Sequence, residues 1–282
     1  VWAPTAQNFL QIDATPLAES QRRRLDRLRD WSGREHSTKR DLFLRRKAGG
    51  HIRECHGDLH LGNMVALEHA VVLFDCLEFN ADLRWIDTLS EIAFLVMDLD
   101  DRGESPLAHR CLNRYLEVTG DYRGLGVVPF YLVYRALVRA KVNAIRSGQS
   151  GVSRHEQQKA LSAGAGYLEL AERYTQPATP RLYLTHGLSG SGKTTLTQYL
   201  VEALGMVRIR SDVERKRLAG LARDARSGAA VGNGLYGKEA TARTYSELEG
   251  LAETILAAGW SVIVDATFLR VSQRTPFFAL VQ

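Results

Sequence analysis

The sequence predicts an α/β protein in which a mostly helical part with one β-hairpin precedes a domain built on a parallel sheet. Apolar residues recur at helical spacing through much of residues 1–175. Two short apolar runs, at residues 64–67 and 71–74, flank Glu-His-Ala and predict the hairpin. Beyond residue 180, strand and helix patterns alternate, which is typical of a parallel sheet covered by helices.

Glycine and proline divide the helical patterns of the first part. Gly148 and Gly151 interrupt them, and Pro177 and Pro180 follow the last of them. We therefore predict a first domain of residues 1–175, a linker at 176–180 and a second domain of residues 181–282. The predicted helices of the first domain are residues 17–31, 86–99, 107–118, 129–145 and 155–174.

In the second domain, glycines mark where the helices end. Gly205 follows a predicted helix at residues 193–204, and Gly259 follows another at 238–258. The predicted strands are residues 182–185, 207–210 and 261–264, and a glycine-rich stretch fills residues 220–237.

Composition excludes several classes of protein. With 282 residues, 45% hydrophobic and 24% charged, the chain has the balance of a soluble globular protein. No apolar run approaches the roughly 18 residues of a membrane helix, so we expect no membrane partner. Three widely spaced cysteines favour a reducing compartment, and we predict a cytoplasmic protein. The net charge of +5 comes from scattered arginines, so we do not expect nucleic acid as a partner.

Residues 187–194 form a phosphate-binding motif. They read G-L-S-G-S-G-K-T, which fits G-x-x-x-x-G-K-[ST], between a predicted strand and a predicted helix. Glycines let backbone N–H groups surround phosphate oxygens, the lysine reaches the β- and γ-phosphates, and the threonine hydroxyl binds magnesium. We predict that ATP is bound by Gly187, Leu188, Ser189, Gly190, Ser191, Gly192, Lys193, Thr194 and Thr195, with Lys193 also serving catalysis.

Two acidic residues follow the other strands of the second domain. Asp265 follows the predicted strand at 261–264 and is a candidate Mg²⁺ ligand together with Thr194; the alternative is a cap of the next helix. Asp212 and Arg215 follow the strand at 207–210, so both should reach the crevice at the strand ends.

With these motifs the second domain resembles the small P-loop kinases related to polynucleotide kinase, gluconate kinase and the zeta toxins. The resemblance implies that Asp212 is the base for the acceptor hydroxyl and that Arg215 steadies substrate or phosphate; the alternative for Asp212 is an exposed residue at a helix start. That family continues into an arginine-bearing lid beyond the equivalent of Gln282. We therefore expect this chain to be an internal piece with an incomplete second domain.

A second motif lies in the first domain. His56, Asp58 and Asn63 follow the H-x-D-x-x-x-x-N spacing of a kinase catalytic loop, and Asp75 follows the hairpin. This region resembles the aminoglycoside and choline phosphotransferases and implies a kinase-like C-lobe, with Asp58 catalytic and with Asn63 and Asp75 on a metal. Bacterial two-part proteins join such a domain to a P-loop kinase in this order.

Other interpretations of the first domain remain open. His51, Cys55, His56 and His60 could ligate zinc, or His56 and His60 could be hydrogen-bonded loop residues. Arg135 and Arg139, four residues apart on a predicted helix, could line a pocket for an anionic acceptor, but we favour a solvated helix face.

Together these features predict a kinase that uses ATP and Mg²⁺ to phosphorylate a hydroxyl of a small molecule. Two alternatives remain: an ATP-binding regulatory or toxin–antitoxin-type module without catalysis, and a nucleic-acid end kinase. The oligomeric state is left open.

Overall fold

The computed structural model of the protein describes residues 1–222 and 237–281. Its fold is α/β, as predicted. Contacts divide the chain into two compact units, Val1–Glu104 with Gly126–Gln176, and Ser105–Leu125 with Pro177–Gln282. Most of the predicted glycine-rich stretch at 220–237 lies outside the described residues.

The first unit is mainly helical. Its helices are α1 (Trp2–Asp13), α2 (Glu19–Thr38), α3 (Arg40–Ala48), α4 (Ala81–Arg84), α5 (Thr88–Asp101), α7 (Val128–Ser147) and α8 (Arg154–Tyr174). Its strands are β1 (Ile52–Glu54), β2 (Met64–Ala66), β3 (Val71–Leu73) and β4 (Trp85–Asp87). Strands β2 and β3 pair antiparallel, which confirms the predicted hairpin, and β1 pairs antiparallel with β4.

Helices α5 and α7 supply much of the core of this unit. On α5, Leu89, Ala93, Phe94 and Met97 are buried, and their spacing places them on one helix face. Burying each large apolar side chain contributes about 1.5–3 kcal/mol. The helix begins later than the predicted residue 86 because the Asp87 carboxylate accepts the Leu89 N–H at 2.9 Å and caps it.

The second unit contains a parallel sheet. Its elements are α6 (Ser105–Thr119), β5 (Leu182–Leu184), α9 (Lys193–Leu204), β6 (Val207–Arg210), α10 (Ser211–Leu218), α11 (Lys238–Ala257), β7 (Val262–Asp265) and α12 (Val271–Phe278). The strand order is β5-β7-β6, and both pairings are parallel. The carboxyl ends of all three strands therefore meet at one edge, where ligands of open α/β sheets bind.

Helix α6 belongs to this second unit, although its residues fall within the predicted first domain of residues 1–175. The reason is that α6 packs against strand β6 at the edge of the parallel sheet. Strand β6 is an edge strand, and the side-chain amide of Asn113 on α6 donates to the Met206 carbonyl at 2.9 Å and accepts the Arg208 N–H at 2.8 Å. These hydrogen bonds satisfy the Met206 carbonyl and the Arg208 N–H, which have no partner strand on this side of β6 among the described residues. The linker at 176–180 stays a prediction.

No helix in the described part of the chain is both long enough and apolar enough to cross a lipid bilayer.

Candidate functional site

A cavity of about 370 Å³ lies at the carboxyl edge of the parallel sheet in the second unit. Its volume falls within the range of roughly 300–1,000 Å³ that is usual for small-molecule sites. It lies between the loop that joins β5 to α9, the start of α10 and the end of β7. The residues that line it are Ser189, Gly190, Gly192, Lys193, Thr194, Thr195, Arg210, Ser211, Asp212, Asp265, Ala266 and Thr267.

Glycine conformation shapes the loop between β5 and α9. Gly190 and Gly192 have φ values of 80° and 81°, in the left-handed region where a side chain is strained. Gly192 is the residue immediately before α9, and a Cβ atom on Gly187 would lie only 3.2 Å from the Ser191 hydroxyl. The first N–H groups of α9 have no partner within the helix, so the loop and the helix end together favour a bound anion.

Lys193, the first residue of α9, lies folded over this loop. Its ammonium donates to the carbonyl oxygens of Gly187, at 3.1 Å, and of Leu188. Both are neutral acceptors, so the positive charge of Lys193 is available to a phosphate that enters the cavity.

Thr194 and Asp265 both line the cavity and are hydrogen-bonded to each other. The Thr194 hydroxyl donates to the Asp265 carboxylate at 2.8 Å, and the Thr197 hydroxyl donates to the same oxygen at 3.3 Å. Asp265 ends the central strand β7 and is buried. It does not cap the following helix, because α12 begins only at Val271 with Arg270 before it. A hydroxyl and a carboxylate in contact form the oxygen donor set that Mg²⁺ prefers.

Asp212 and Arg215 point to different surroundings. Asp212 lies in the first turn of α10, lines the cavity and pairs with Lys216 at 3.1 Å. Its side chain is 48% exposed. Arg215 donates to the Thr241 hydroxyl of α11 at 3.2 Å, and it is not among the described residues that line the cavity. The structure therefore brings Asp212, but not Arg215, to Lys193.

Two arginines of β6 complete the surroundings and were missed by the sequence analysis. Arg210 lines the cavity beside Asp212. Arg208 is buried and donates to the Glu117 carboxylate of α6 at 3.1 Å, to the Gln198 side chain at 2.8 Å and to the Thr194 carbonyl at 3.2 Å. The available signal was the alternation of arginine with apolar residues in the predicted strand at residues 207–210.

In the first unit, three side chains of the second motif form a hydrogen-bonded group. The Asn63 amide donates to the Asp58 carboxylate at 3.0 Å, and His60 Nε2 lies 3.3 Å from the same oxygen. His60 Nδ1 accepts the Gly62 N–H, so Nε2 carries the proton. Burial alone would raise the pKa of Asp58, but the bonds from His60 and Asn63 outweigh it, and the pKa lies below its ordinary value.

Asp75 is brought near this group by the hairpin. The Phe74 N–H donates to the Asn63 carbonyl at 3.1 Å, which places the backbone of Asp75 one residue from that contact. Asp75 is exposed and has a φ of 59°, a conformation that aspartate tolerates better than most residues. The hairpin therefore joins the Asp58 loop to Asp75 through the backbone.

The side chains of His56, Glu91 and Arg135 anchor the loop that carries Asp58. His56 Nε2 lies 2.8 Å from the Phe74 carbonyl, and the Gly57 N–H donates to Glu91 at 3.1 Å. Arg135 is buried and donates to the carbonyls of Gly57 and Ser90 at 3.1 and 3.0 Å. The prediction of a solvated face was wrong for Arg135, because the guanidinium satisfies backbone acceptors inside the unit.

The zinc interpretation was also wrong. Within residues 1–222 and 237–281, no group of three or more His, Cys, Asp or Glu side chains is placed to hold a metal ion. His56 and His60 instead make the loop hydrogen bonds that the plainer interpretation predicted.

The parallel sheet, the loop before α9 and the cavity of the second unit are the features of a P-loop domain. Residues 182–282 match a family described as an AAA domain, and the match supports a P-loop, kinase-like fold for this part of the chain. No solved structure matches the chain.

Curated relatives come from mycobacteria. One uncharacterized protein of Mycobacterium bovis and two of Mycobacterium tuberculosis are each 34% identical to this chain over 227 residues. The alignment covers 80% of this chain and 44% of each relative, so the chain spans less than half the length of the curated relatives it matches.

Proposed function

We propose that the second unit is an ATP-dependent kinase that transfers the γ-phosphoryl group to a hydroxyl of a small molecule. The observation that carries this proposal is the shared cavity of Lys193, the Thr194–Asp265 pair and Asp212. A cation for phosphate, an oxygen pair for a metal and an exposed carboxylate are the parts that phosphoryl transfer to a hydroxyl needs.

The glycine-rich loop and Lys193 would hold the phosphates of ATP. Backbone N–H groups of residues 187–195 and the start of α9 favour anionic oxygens, and the Lys193 ammonium can exchange its carbonyl partners for phosphate. Thr194 and Asp265 would hold Mg²⁺, which when bound neutralises charge on the phosphates. The Arg208 guanidinium donates to the Thr194 carbonyl and so helps to position Thr194.

Asp212 would accept the proton of the acceptor hydroxyl. The hydroxyl oxygen forms a bond to the γ-phosphorus, the bond from that phosphorus to the β,γ-bridging oxygen breaks, and ADP leaves with the bonding electrons. Lys216 pairs with the Asp212 carboxylate at 3.1 Å, and Arg210 lies at the same cavity to stabilise negative charge. The role of Arg215 toward substrate stays a prediction, since its guanidinium contacts Thr241.

The test compares Lys193→Ala and Asp212→Asn with the exposed controls Lys159→Ala and Asp26→Asn. Calorimetric titration with Mg-ATP should show binding in the controls and in Asp212→Asn, and loss of binding in Lys193→Ala. With a panel of hydroxylated small molecules, Asp212→Asn should lower phosphoryl transfer by about 10²–10⁴-fold. Transfer unchanged by Asp212→Asn would exclude Asp212 as the base, whereas binding of Mg-ATP without transfer to any acceptor would favour a nucleotide-binding regulatory module.

We propose a second phosphotransferase-like site in the first unit. The contact of Asn63 with Asp58 at 3.0 Å, joined by the hairpin to Asp75, supports it. Asp58 would orient or deprotonate an acceptor hydroxyl, and Asn63 and Asp75 would hold a metal ion. In the kinase assay, transfer that survives Asp212→Asn but is lost in Asp58→Asn would assign the chemistry to this unit, whereas transfer unaffected by Asp58→Asn would count against it.

A further inference from the structure

We infer that a cavity beside Asp58 in the first unit binds a small, ring-bearing, hydroxylated molecule that carries a carboxylate or phosphate group. That its hydroxyl would be the acceptor at Asp58 rests on the phosphotransferase role proposed for this unit. The preference for an anion does not rest on that role, because it follows from the charges that line the cavity.

The cavity has a volume of about 500 Å³, enough for a small molecule. Gly57 and Asp58 form part of its lining, so one end of it adjoins the hydrogen-bonded Asp58 group. Side chains of α3, β4, α5 and α7 form other parts of the wall. A molecule in this cavity can therefore present a hydroxyl to Asp58 while its body extends toward α3.

Aromatic rings cover much of the wall. Phe43, Trp85, Phe94, Tyr131 and Tyr134 all line the cavity. Phe43 and Tyr131 stack edge to face with centroids 5.8 Å apart, so part of this wall is preorganised. Trp85 remains 53% exposed although it faces a cavity, which leaves a large aromatic surface available to a flat ligand. The body of the ligand should therefore contain a ring.

The cations that line the cavity are largely without acidic partners. Arg40, Lys47 and Lys141 make no ion pair with any residue that the structure describes. Arg40 and Lys47 are exposed at the mouth, whereas Lys141 is half-buried, and burial lowers its pKa. Burial also lowers the pKa of His36, which favours its neutral form. A half-buried ammonium without a partner is stabilised by an incoming anion.

Most of the acidic residues that line the cavity are already compensated. Asp87 accepts two hydrogen bonds from Arg46, at 2.7 and 2.8 Å, and one from the Tyr131 hydroxyl at 3.0 Å. Asp58 accepts from His60 and Asn63, which leaves the exposed Asp82.

Arg135 also lines the cavity, but its guanidinium is satisfied by the Gly57 and Ser90 carbonyls and lies 3.9 Å from Glu91. Apart from the Asp58 group, three uncompensated cations face one uncompensated carboxylate. Polycationic and quaternary ammonium acceptors are therefore disfavoured, and an anion is preferred.

The test uses pairs of probes that share a body and a hydroxyl but differ in charge: para-hydroxyphenylacetate against tyramine, and glucuronate against glucosamine. Binding to the 282-residue chain is measured by calorimetry and by ligand-observed NMR without ATP. In at least one pair we expect the anion to bind tenfold or more tightly than the cation. Equal binding, preferred binding of the cations, or no binding of either anion would overturn the inference.

Variants locate the bound anion. Lys141→Met and, at the exposed mouth, Lys47→Met should each weaken the anionic probe several-fold, while Lys159→Met, outside the cavity, leaves it unchanged. Circular dichroism establishes that each variant is folded. If Lys141→Met does not fold, Lys47→Met still tests the inference, because Lys47 is exposed. Anion binding that neither Lys141→Met nor Lys47→Met weakens would place the probe elsewhere and overturn the inference.

A separate outcome tests the proposed chemistry. Asp58→Asn should retain the preference for the anionic probe and lose any phosphoryl transfer to it. Anion binding in this cavity without transfer would remove the phosphotransferase role and leave the binding site standing. Transfer to the cationic probes in preference to the anionic ones would support the phosphotransferase role and overturn the inferred preference for an anion.

Discussion

The buried pair of Arg208 and Glu117 is expected to govern the stability of the second unit. The change we consider is Glu117→Gln, which keeps the shape of the side chain and removes its charge. The two side chains are only 6% and 5% exposed, and their closest N···O distance is 3.1 Å. The variant therefore leaves the Arg208 guanidinium inside the unit without its carboxylate.

The magnitude follows from this geometry. At 3.1 Å and an effective dielectric constant of about 20, the attraction between the two charges is about 5 kcal/mol. Removal of one partner of a buried pair typically costs about 3–5 kcal/mol. Arg208 keeps Gln198 and the Thr194 carbonyl as acceptors, so we expect the lower end, about 3 kcal/mol.

Hydrogen exchange of peptides that cover β6 and α9 measures this loss within the second unit. A loss of about 3 kcal/mol should speed exchange by roughly 100-fold or more, because each 1.4 kcal/mol is a factor of ten. Glu253→Gln, an exposed substitution on α11, is the control and should change nothing. Unchanged exchange of β6 in Glu117→Gln, or a coupling energy near zero with Arg208→Met in a double-mutant cycle, would refute the reasoning.

Two further predictions concern the loops that carry the candidate sites. Gly192→Ala forces a side chain into a φ of 81° and should cost about 1–2 kcal/mol and weaken Mg-ATP binding. The control Gly250→Ala adds its Cβ atom in open space within α11 and should instead stabilise the protein by about 0.5–1 kcal/mol. Thermal unfolding compares the stabilities of the two variants, and calorimetry compares their binding of Mg-ATP. A stabilising Gly192→Ala would contradict the strain argument. Asp58 has a folded-state pKa below the ordinary 3.8, so its stabilising contribution is present above that value and is lost as the pH falls through the lower folded-state pKa. Asp58→Asn should lack this component of acid destabilisation, and identical acid profiles of variant and wild type would contradict it.

The local parts of the second unit were predictable from sequence. The P-loop motif, the strand before it and the helix after it are contiguous, and α9 and β6 have the predicted bounds. The position of Asp265 also followed, because carboxyl ends of parallel strands share one edge. Each of these features depends on local periodicity or on a motif with its own physical cause.

The long-range features were not predictable in the same way. Glu117 and Arg208 lie 91 residues apart, and nothing in the local pattern of α6 distinguishes a helix of the first unit from one that covers β6. Arg135 looked like a solvated residue because helical periodicity does not reveal that Gly57 and Ser90 offer carbonyls to it. The short pairing of β1 with β4 likewise joins segments that no hairpin signal connects.

The membership of α6 in the second unit has a consequence for how the chain is made. Glu117 is synthesised 91 residues before its partner Arg208, an interval of roughly 5–20 s at about 5–20 residues per second. During that interval α6 exists without the strand whose edge it covers, and residues 126–176 of the first unit are synthesised in the meantime. A gene fragment that begins at residue 177 would encode the sheet without Glu117 and Asn113. Such a fragment should be poorly soluble, because β6 would keep an open edge and a buried arginine without its carboxylate.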